Sequence, residues 1–297
     1  MTHAPLHHSA SGSATLIGLA AILLWSVLAL LTASAGDVPP FELAALTFAI
    51  GGAFGLIYAA VRGRLSALRQ PWRVWFVGVG GLFGYHALYF AALRRAPPAE
   101  ASLIAYLWPL LIVLFSALLP GERLRPRHVL GAALGFAGAI ALFAGKASGG
   151  LGAHTLDPAI ALGYALALGC AFVWSGYSVL SRRLKAAPTE AVAGFCLVTS
   201  ALAAICHFAF ETTVAPAAAT QWAAIVGLGL GPVGLAFYVW DHGVKNGDLR
   251  LLGVAAYAAP VLSTLILVAA GFAPATASLG LACVLIVGGA VVATRRS

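Results

Sequence analysis

The sequence predicts an all-α polytopic membrane protein, with ten transmembrane helices arranged as two inverted five-helix repeats around a central cavity. Composition provides the first observation. Hydrophobic residues make up 61% of the 297 residues, charged residues only 9%, and the mean hydropathy is +0.96. A soluble domain carries about 25% charged residues. No soluble fold of this size could bury so much apolar surface, so we expect the protein to lie in a lipid bilayer.

Matching motifs in the two halves of the chain provide the second observation. Trp25-Ser26 recurs 149 residues later as Trp174-Ser175, and Tyr106-x-x-Pro109 recurs 151 residues later as Tyr257-x-x-Pro260. Each half carries five apolar segments, and an odd number of crossings places the second copy upside down in the bilayer. Inverted repeats with interrupted helices are typical of secondary transporters, whose substrate site lies between the repeats.

Ten apolar runs are long enough to cross a bilayer, since a transmembrane helix needs about 20 residues. They cover residues 14–34, 41–61, 73–93, 98–118, 127–145, 159–181, 190–210, 220–243, 250–270 and 275–294. The predicted organisation is a tail (1–13), a first five-helix repeat (14–147), a linker (148–158) and a second five-helix repeat (159–294).

Basic residues between the runs set the predicted orientation. With the amino terminus inside, the inner connections hold 14 Lys and Arg residues and the outer connections hold 3. Basic residues concentrate on the cytoplasmic side of a membrane protein. Both termini and the tail are therefore predicted to be cytoplasmic, and the linker periplasmic. The net charge is +8, but the basic residues lie between the apolar segments, which indicates membrane orientation, and we expect no nucleic-acid partner.

Motifs for metal, cofactor or enzymatic chemistry are missing from the sequence. The four cysteines fall inside apolar segments without a Cys-x-x-Cys pair, which favours small buried hydrophobes over metal ligands or disulfides. There is no His-Glu-x-x-His or Gly-x-Ser-x-Gly motif, and no pair of carboxylates at the centre of a span. We expect no metal and no cofactor; a polytopic membrane enzyme is a weak alternative.

These features resemble a known family. Two copies of five helices, Trp-Ser in the first helix of each copy, and Gly121-Glu122-Arg123 after the fourth helix resemble the drug/metabolite transporter superfamily, in particular its ten-helix EamA type. The aromatic-rich third and fourth helices are similar to those of the YddG-like aromatic amino acid exporters. One departure is that Glu122 has no counterpart in the second copy, where Gly271-Phe272-Ala273 stands, so we interpret Glu122 as a loop or capping residue.

The resemblance implies a basket of ten helices around a central cavity. The first four helices of each copy would line the cavity, and the fifth and tenth would pack outside. It also implies export of small metabolites across the inner membrane of a bacterium.

Aromatic residues are the strongest candidates for the substrate path. The repeat relates three aromatic pairs, namely Trp25 with Trp174, Tyr89 with Trp240 and Tyr106 with Tyr257. Tyr106 and Tyr257 lie at mid-bilayer, where their O–H groups need partners, which favours a cavity wall over a lipid face. Aromatic filling of the interior or an interfacial belt is the alternative. Belt and gate are both open for Tyr89 and Trp240 near opposite membrane surfaces, and a packing role is open for His86. The predicted substrate-binding residues are Trp25, Ser26, Tyr85, His86, Tyr89, Tyr106, Trp108, Trp174, Tyr177, Ser178, Trp240 and Tyr257.

Two prolines are the candidate hinges. Pro109 and Pro260 occupy matching positions near the middle of their helices, and each removes a backbone donor and frees a carbonyl. In a membrane the freed carbonyl must meet protein or a water-filled cavity. We predict bends beside the cavity; a passive kink is the alternative.

The polar residues of the spans restrict the expected mechanism. No carboxylate lies at mid-bilayer, and Asp241 near the inner end of the eighth helix is expected to be hydrated. A weak, aromatic-walled site suits facilitated or weakly coupled efflux of aromatic and other neutral amino acids by alternating access. A multidrug or general metabolite exporter of the same fold is the alternative, because aromatic walls also bind cations. The expected partners are the lipid bilayer and a small-molecule substrate, and the sequence is compatible with a monomer.

Overall fold

The computed structural model describes residues 6–120, 124–144, 158–271 and 274–294, which are helical and contain no β-strand. The helices are α1 (Leu6–Ser26), α2 (Leu28–Ser34), α3 (Pro40–Val61), α4 (Trp72–Leu93), α5 (Pro98–Ala105), α6 (Trp108–Ser116), α7 (Pro126–Ala144), α8 (Pro158–Arg183), α9 (Val192–Phe210), α10 (Ala219–Leu230), α11 (Ala236–Asn246), α12 (Leu249–Ala255), α13 (Ala258–Ala269) and α14 (Ala277–Thr294). A π-helical segment, Gly231–Leu235, joins α10 to α11, and 3-10 turns cover Leu65–Leu68 and Thr189–Ala191.

Every predicted span corresponds to helix. Among the described residues, nine helical segments are long and apolar enough to cross a membrane, and the shorter apolar segment Glu100–Ser116 is the predicted fourth span. The all-α, ten-helix prediction is confirmed. Helix α1 begins at Leu6, so its first two turns lie within the predicted tail, whose boundary stays a prediction. Gly121-Glu122-Arg123 and nearly all of the predicted linker lie outside the described residues.

Regular α-helix is interrupted in four of the spans. The sequence predicted an interruption in only two of them, the fourth and the ninth. The first span breaks at Val27, and the eighth contains the π-helical segment. The fourth span breaks between α5 and α6, and the ninth between α12 and α13, at positions that match within one residue at the 151-residue offset. Both breaks immediately precede Pro109 and Pro260. Proline lacks an N–H and clashes with the carbonyl four residues earlier, which explains why regular helix stops there.

Helices pair across the two halves of the chain: α1 packs on α11, α3 on α9, α4 on α8, and α7 on α14. Two of these contacts depend on glycine. A Cβ added to Gly243 would lie 2.5 Å from the Cα of Gly18, and one added to Gly131 would lie 2.6 Å from the carbonyl oxygen of Gly289. Small residues let helix backbones approach in lipid, so these glycines permit the close contacts between halves.

Contacts at the helix ends define the direction of the spans. The amide of Asp248 donates to Thr15 Oγ1 at 2.8 Å, so the start of the first predicted span, within α1, meets the carboxyl end of α11. Arg182, at the carboxyl end of α8, donates to the carbonyls of Val244 (3.1 Å) and Gly247 (2.6 Å) and covers free acceptors at the same end of α11. The first helices of the two halves, α1 and α8, therefore run in opposite directions.

Glu211 secures the opposite end of the molecule, a role that the sequence did not reveal. It directly follows α9, and its carboxylate accepts the backbone amides of Phe41 (3.1 Å) and Glu42 (3.2 Å) in the first turn of α3. Arg94 donates to it at 2.7 Å and His207 Nδ1 lies 3.1 Å away. A carboxylate at a helix amino terminus is favoured by the helix dipole, so this cluster fixes α3, α4 and α9 together.

Candidate substrate site

Four tryptophans meet in the middle of the molecule, each from a different helix. Trp25 comes from α1, Trp108 from α6, Trp174 from α8 and Trp240 from α11. All six ring pairs have centroids between 5.1 and 6.4 Å apart, mostly in edge-to-face or tilted arrangements. Such pairs contribute about 0.5–1.5 kcal/mol each beyond area burial. We call this set the tryptophan cluster.

Two indole N–H groups of the cluster join it to the surrounding helices. Trp25 Nε1 donates to the carbonyl of Pro232 at 3.1 Å, within the π-helical segment. Trp240 Nε1 donates to Ser178 Oγ at 3.1 Å, and that hydroxyl donates in turn to the Trp174 carbonyl at 2.9 Å. Both indoles are thereby held in one orientation. The first span is tied to the eighth, and the eighth to the sixth.

A small cavity of about 100 Å³ lies against the tryptophan cluster. Six of its eleven lining residues are Trp, Tyr or Phe, and a seventh is His86. The lining residues are Trp25, Leu28, Tyr85, His86, Tyr106, Trp108, Trp174, Pro232, Val233, Phe237 and Ala259. An apolar wall with a few polar groups is typical of a small-molecule site, although such sites usually measure about 300–1,000 Å³. The cavity must therefore widen to admit a ligand of that size.

His86 is the polar residue of this wall with the most defined geometry. Its ring lies 5.0 Å from Phe48 and 5.3 Å from Tyr85, both edge-to-face. Its Nδ1 is 2.7 Å from the Leu82 carbonyl oxygen. A carbonyl only accepts, so Nδ1 carries the proton, and in the neutral tautomer Nε2 is then a hydrogen-bond acceptor.

The structure brings half of the predicted binding residues to the cavity. Six of the twelve line it, namely Trp25, Tyr85, His86, Tyr106, Trp108 and Trp174. Trp240 and Ser178 lie behind this layer. Trp240 is fully buried in the tryptophan cluster, which argues against the interfacial belt that the sequence left open for it.

The other four predicted residues contact protein away from the cavity. Ser26 donates to the Leu23 carbonyl of its own helix at 2.6 Å, and Tyr89 shares a 2.8 Å hydrogen bond with Ser102. Tyr177 is buried where Gly81 leaves room for its ring. Tyr257, the counterpart of Tyr106, is fully buried and its hydroxyl accepts the Leu110 amide at 3.2 Å.

Comparison with known proteins decides the family. The sequence profile of the EamA-like transporter family matches residues 12–144 and 161–295. The chain belongs to the EamA-like transporter family. Each matched range contains five of the ten spans, so the predicted resemblance is confirmed, and membership identifies this protein as a transporter rather than an enzyme.

Individual members of the EamA-like family are also similar to the chain. The aromatic amino acid exporter YddG of Ancylobacter novellus is 63% identical over 283 residues, covering 95% of this chain and 97% of that protein. Proteins of the same name are 28% identical in Salmonella typhimurium and 27% identical in Escherichia coli. A crystal structure with 62% sequence identity superposes with a TM-score of 0.90 and covers 95% of this chain and 96% of its own.

The cavity of this EamA-like transporter also has five lining residues that were not among the predicted ones, namely Leu28, Pro232, Val233, Phe237 and Ala259. Two signals could have found some of them. Phe237 is the counterpart of His86 at the 151-residue offset, and it stacks on Phe48 with ring centroids 5.6 Å apart and planes 5° apart. The run Gly231-Pro232-Val233-Gly234 is a visible helix breaker inside an apolar segment.

One polar cluster lies directly beyond the tryptophan cluster of the EamA-like transporter. Asp241 Oδ2 pairs with Lys245 Nζ at 2.8 Å and accepts the Thr189 hydroxyl at 2.8 Å, while Lys245 donates to the Ala187 carbonyl at 2.9 Å. Their side chains are 1% and 5% exposed, so the expectation of a hydrated Asp241 is wrong. Within the described ranges, no three His, Cys, Asp or Glu residues could together hold a metal ion.

Proposed function

We propose that this transporter exports aromatic amino acids, and other neutral amino acids more weakly, across the inner membrane of a bacterium. The observation that carries the proposal is 63% identity, over 95% of the chain, to a protein named as an aromatic amino acid exporter. The cavity supports it, since rings of Trp and Tyr can stack on a flat apolar side chain. Residues of both repeats line the same cavity, so we also propose that one chain carries a whole substrate site and that a monomer is sufficient.

Alternating access between two inverted repeats is the mechanism we propose. The cavity of about 100 Å³ is too small for a bound amino acid, so the aromatic wall has to move during the cycle. The interruptions at Val27, at the π-helical segment and before both prolines adjoin this wall. Rocking of one repeat against the other about these points would open the cavity to each side in turn.

Flux through purified protein in liposomes tests the function. We expect efflux of tryptophan and phenylalanine to exceed that of lysine about tenfold or more, because a charged side chain would lose its hydration in an aromatic wall. Empty liposomes are the control, and repeating the assay with a pH gradient separates facilitated from proton-coupled transport. Flux of a cationic dye without flux of aromatic amino acids would establish the multidrug alternative instead.

The orientation with both termini in the cytoplasm gives a labelling prediction. In a variant lacking the four native cysteines, a cysteine at Ala218 should react with a membrane-impermeant maleimide added to intact cells. Cysteines at Ser66 and Ala186 should react only after lysis. All three positions are exposed, so accessibility within the protein does not limit labelling. The reverse pattern would contradict the orientation.

The hinge prediction concerns the two matched prolines. Pro109→Ala and Pro260→Ala should each reduce tryptophan efflux several-fold (roughly 3–10-fold), because the restored N–H lets the helix continue through the break. Pro126→Ala is the matched control, since Pro126 occupies the first position of α7, where proline removes no helical hydrogen bond. Wild-type efflux in both hinge variants would show that the interruptions are passive.

A further inference from the structure

We propose that a groove distinct from the aromatic cavity binds a phospholipid with an anionic headgroup. The groove measures about 600 Å³ and lies between α1, the carboxyl end of α3, the connection from α8 to α9, and α11. We call it the lateral groove. The orientation proposed above would place the polar end of the groove at the cytoplasmic leaflet. The kind of ligand that we propose depends only on the residues that line the groove, and not on this orientation.

One wall of the lateral groove is apolar and faces outward. Ile17, Phe54 and Leu235 line it and are 42%, 47% and 42% exposed. All three lie within helical segments that are long and apolar enough to cross a bilayer, so we expect their exposed surface to meet acyl chains rather than water. A molecule in the groove therefore has a hydrocarbon portion in contact with the membrane, which a free amino acid or an inorganic ion lacks.

The opposite end of the groove is polar and basic. Arg64, Lys185 and Lys245 line it together with a single carboxylate, that of Glu190. Arg64 pairs with Glu190 at 2.5 Å, and Lys245 pairs with Asp241 behind the wall. Lys185 is exposed and forms no ion pair within the part of the chain that the structure describes. Three cations against two carboxylates leave a net positive charge, and Lys185 is the cation available for a phosphate.

Two further side chains suit a headgroup at this depth. Tyr58 and His242 line the groove between its apolar wall and its basic end. Tyrosine is enriched at the level of lipid headgroups, and both side chains can donate hydrogen bonds to phosphate or glycerol oxygens. Basic pockets between transmembrane helices on the cytoplasmic side are a known type of anionic lipid site. The order of apolar wall, tyrosine and lysine follows the order of acyl chain, glycerol and phosphate.

Titration of the full-length protein in detergent tests the proposal. Phosphatidylglycerol and phosphatidylcholine with identical acyl chains are added, and bound lipid is counted by native mass spectrometry. We expect phosphatidylglycerol to bind more tightly, and Lys185→Gln to weaken its binding about fivefold, the usual effect of one basic residue near anionic lipid. Arg125→Gln is the matched control, since Arg125 is exposed, lies in another inner connection and does not line the groove.

Three results would overturn the proposal. Equal binding of the two lipids would show that the headgroup charge is not recognised. Equal losses in Lys185→Gln and Arg125→Gln would indicate attraction by overall charge. Displacement of the lipid by millimolar inorganic phosphate alone would indicate a small-anion site without a role for the acyl chains. Both variants replace exposed side chains, so folding does not confound the comparison.

Discussion

Trp174→Ala should lower tryptophan efflux at least about tenfold, the largest effect we expect from a single substitution on transport. Its ring contacts six others, those of Trp25, Tyr85, Trp108, Tyr177, Phe237 and Trp240. A tenfold change corresponds to about 1.4 kcal/mol, the contribution of only one or two aromatic contacts to a bound ring. Initial efflux rates from liposomes containing equal amounts of protein give the measurement.

Two control variants make this prediction specific. Trp72→Ala makes the same chemical change at a residue that is 71% exposed, and we expect no loss of efflux. Trp174→Phe keeps a ring in place and should fold even if Trp174→Ala does not, since removing a buried tryptophan side chain costs about 3–5 kcal/mol. If folded Trp174→Ala exports tryptophan at the wild-type rate, the aromatic cavity is not the substrate site.

Asp241→Ala should lower the free energy of unfolding by about 3–5 kcal/mol, the largest effect we expect on stability. The substitution leaves the Lys245 ammonium buried, with the Ala187 carbonyl as a remaining partner. An uncompensated buried charge is far more costly than the loss of an exposed pair. Chemical denaturation in detergent micelles, followed by tryptophan fluorescence, gives the measurement.

The contrast with a second ion pair provides the control. Glu190→Ala breaks the pair with Arg64, whose side chain is 58% exposed, and solvent compensates the remaining charge. We expect a much smaller loss of stability there. The double variant Asp241→Asn with Lys245→Met removes both buried charges and should recover most of the stability lost in Asp241→Ala. Equal losses from Asp241→Ala and Glu190→Ala would contradict the argument from burial.

Of the matched motifs, the Trp-Ser pair reaches the aromatic cavity in both copies and the Tyr-x-x-Pro pair in only one. Trp25 and Trp174, which were paired by the repeat, do meet, with ring centroids 5.8 Å apart. Tyr106 and Tyr257 are paired by the same repeat, yet only Tyr106 lines the cavity. Tyr257 packs against Gly135 of α7, where an added Cβ would lie 2.4 Å from its ring. Equivalent positions in an inverted repeat lie on corresponding helices at mirrored depths, but their neighbours differ in side-chain volume.

The amino-acid sequence by itself determined the class of protein, the ten helices, the family and the prolines that precede two of the breaks. These depend on hydropathy and on local backbone chemistry, which act over one helix at a time. Tertiary structure alone decided which aromatic side chains face the cavity, that Asp241 is buried with Lys245, and that Glu211 holds the start of α3. Each of these depends on contacts between residues distant in sequence, such as Trp25 and Pro232, 207 positions apart. The burial of a side chain and its pairing with another depend on which helix faces pack against each other. The periodicity of a single helix does not specify which helix packs against it.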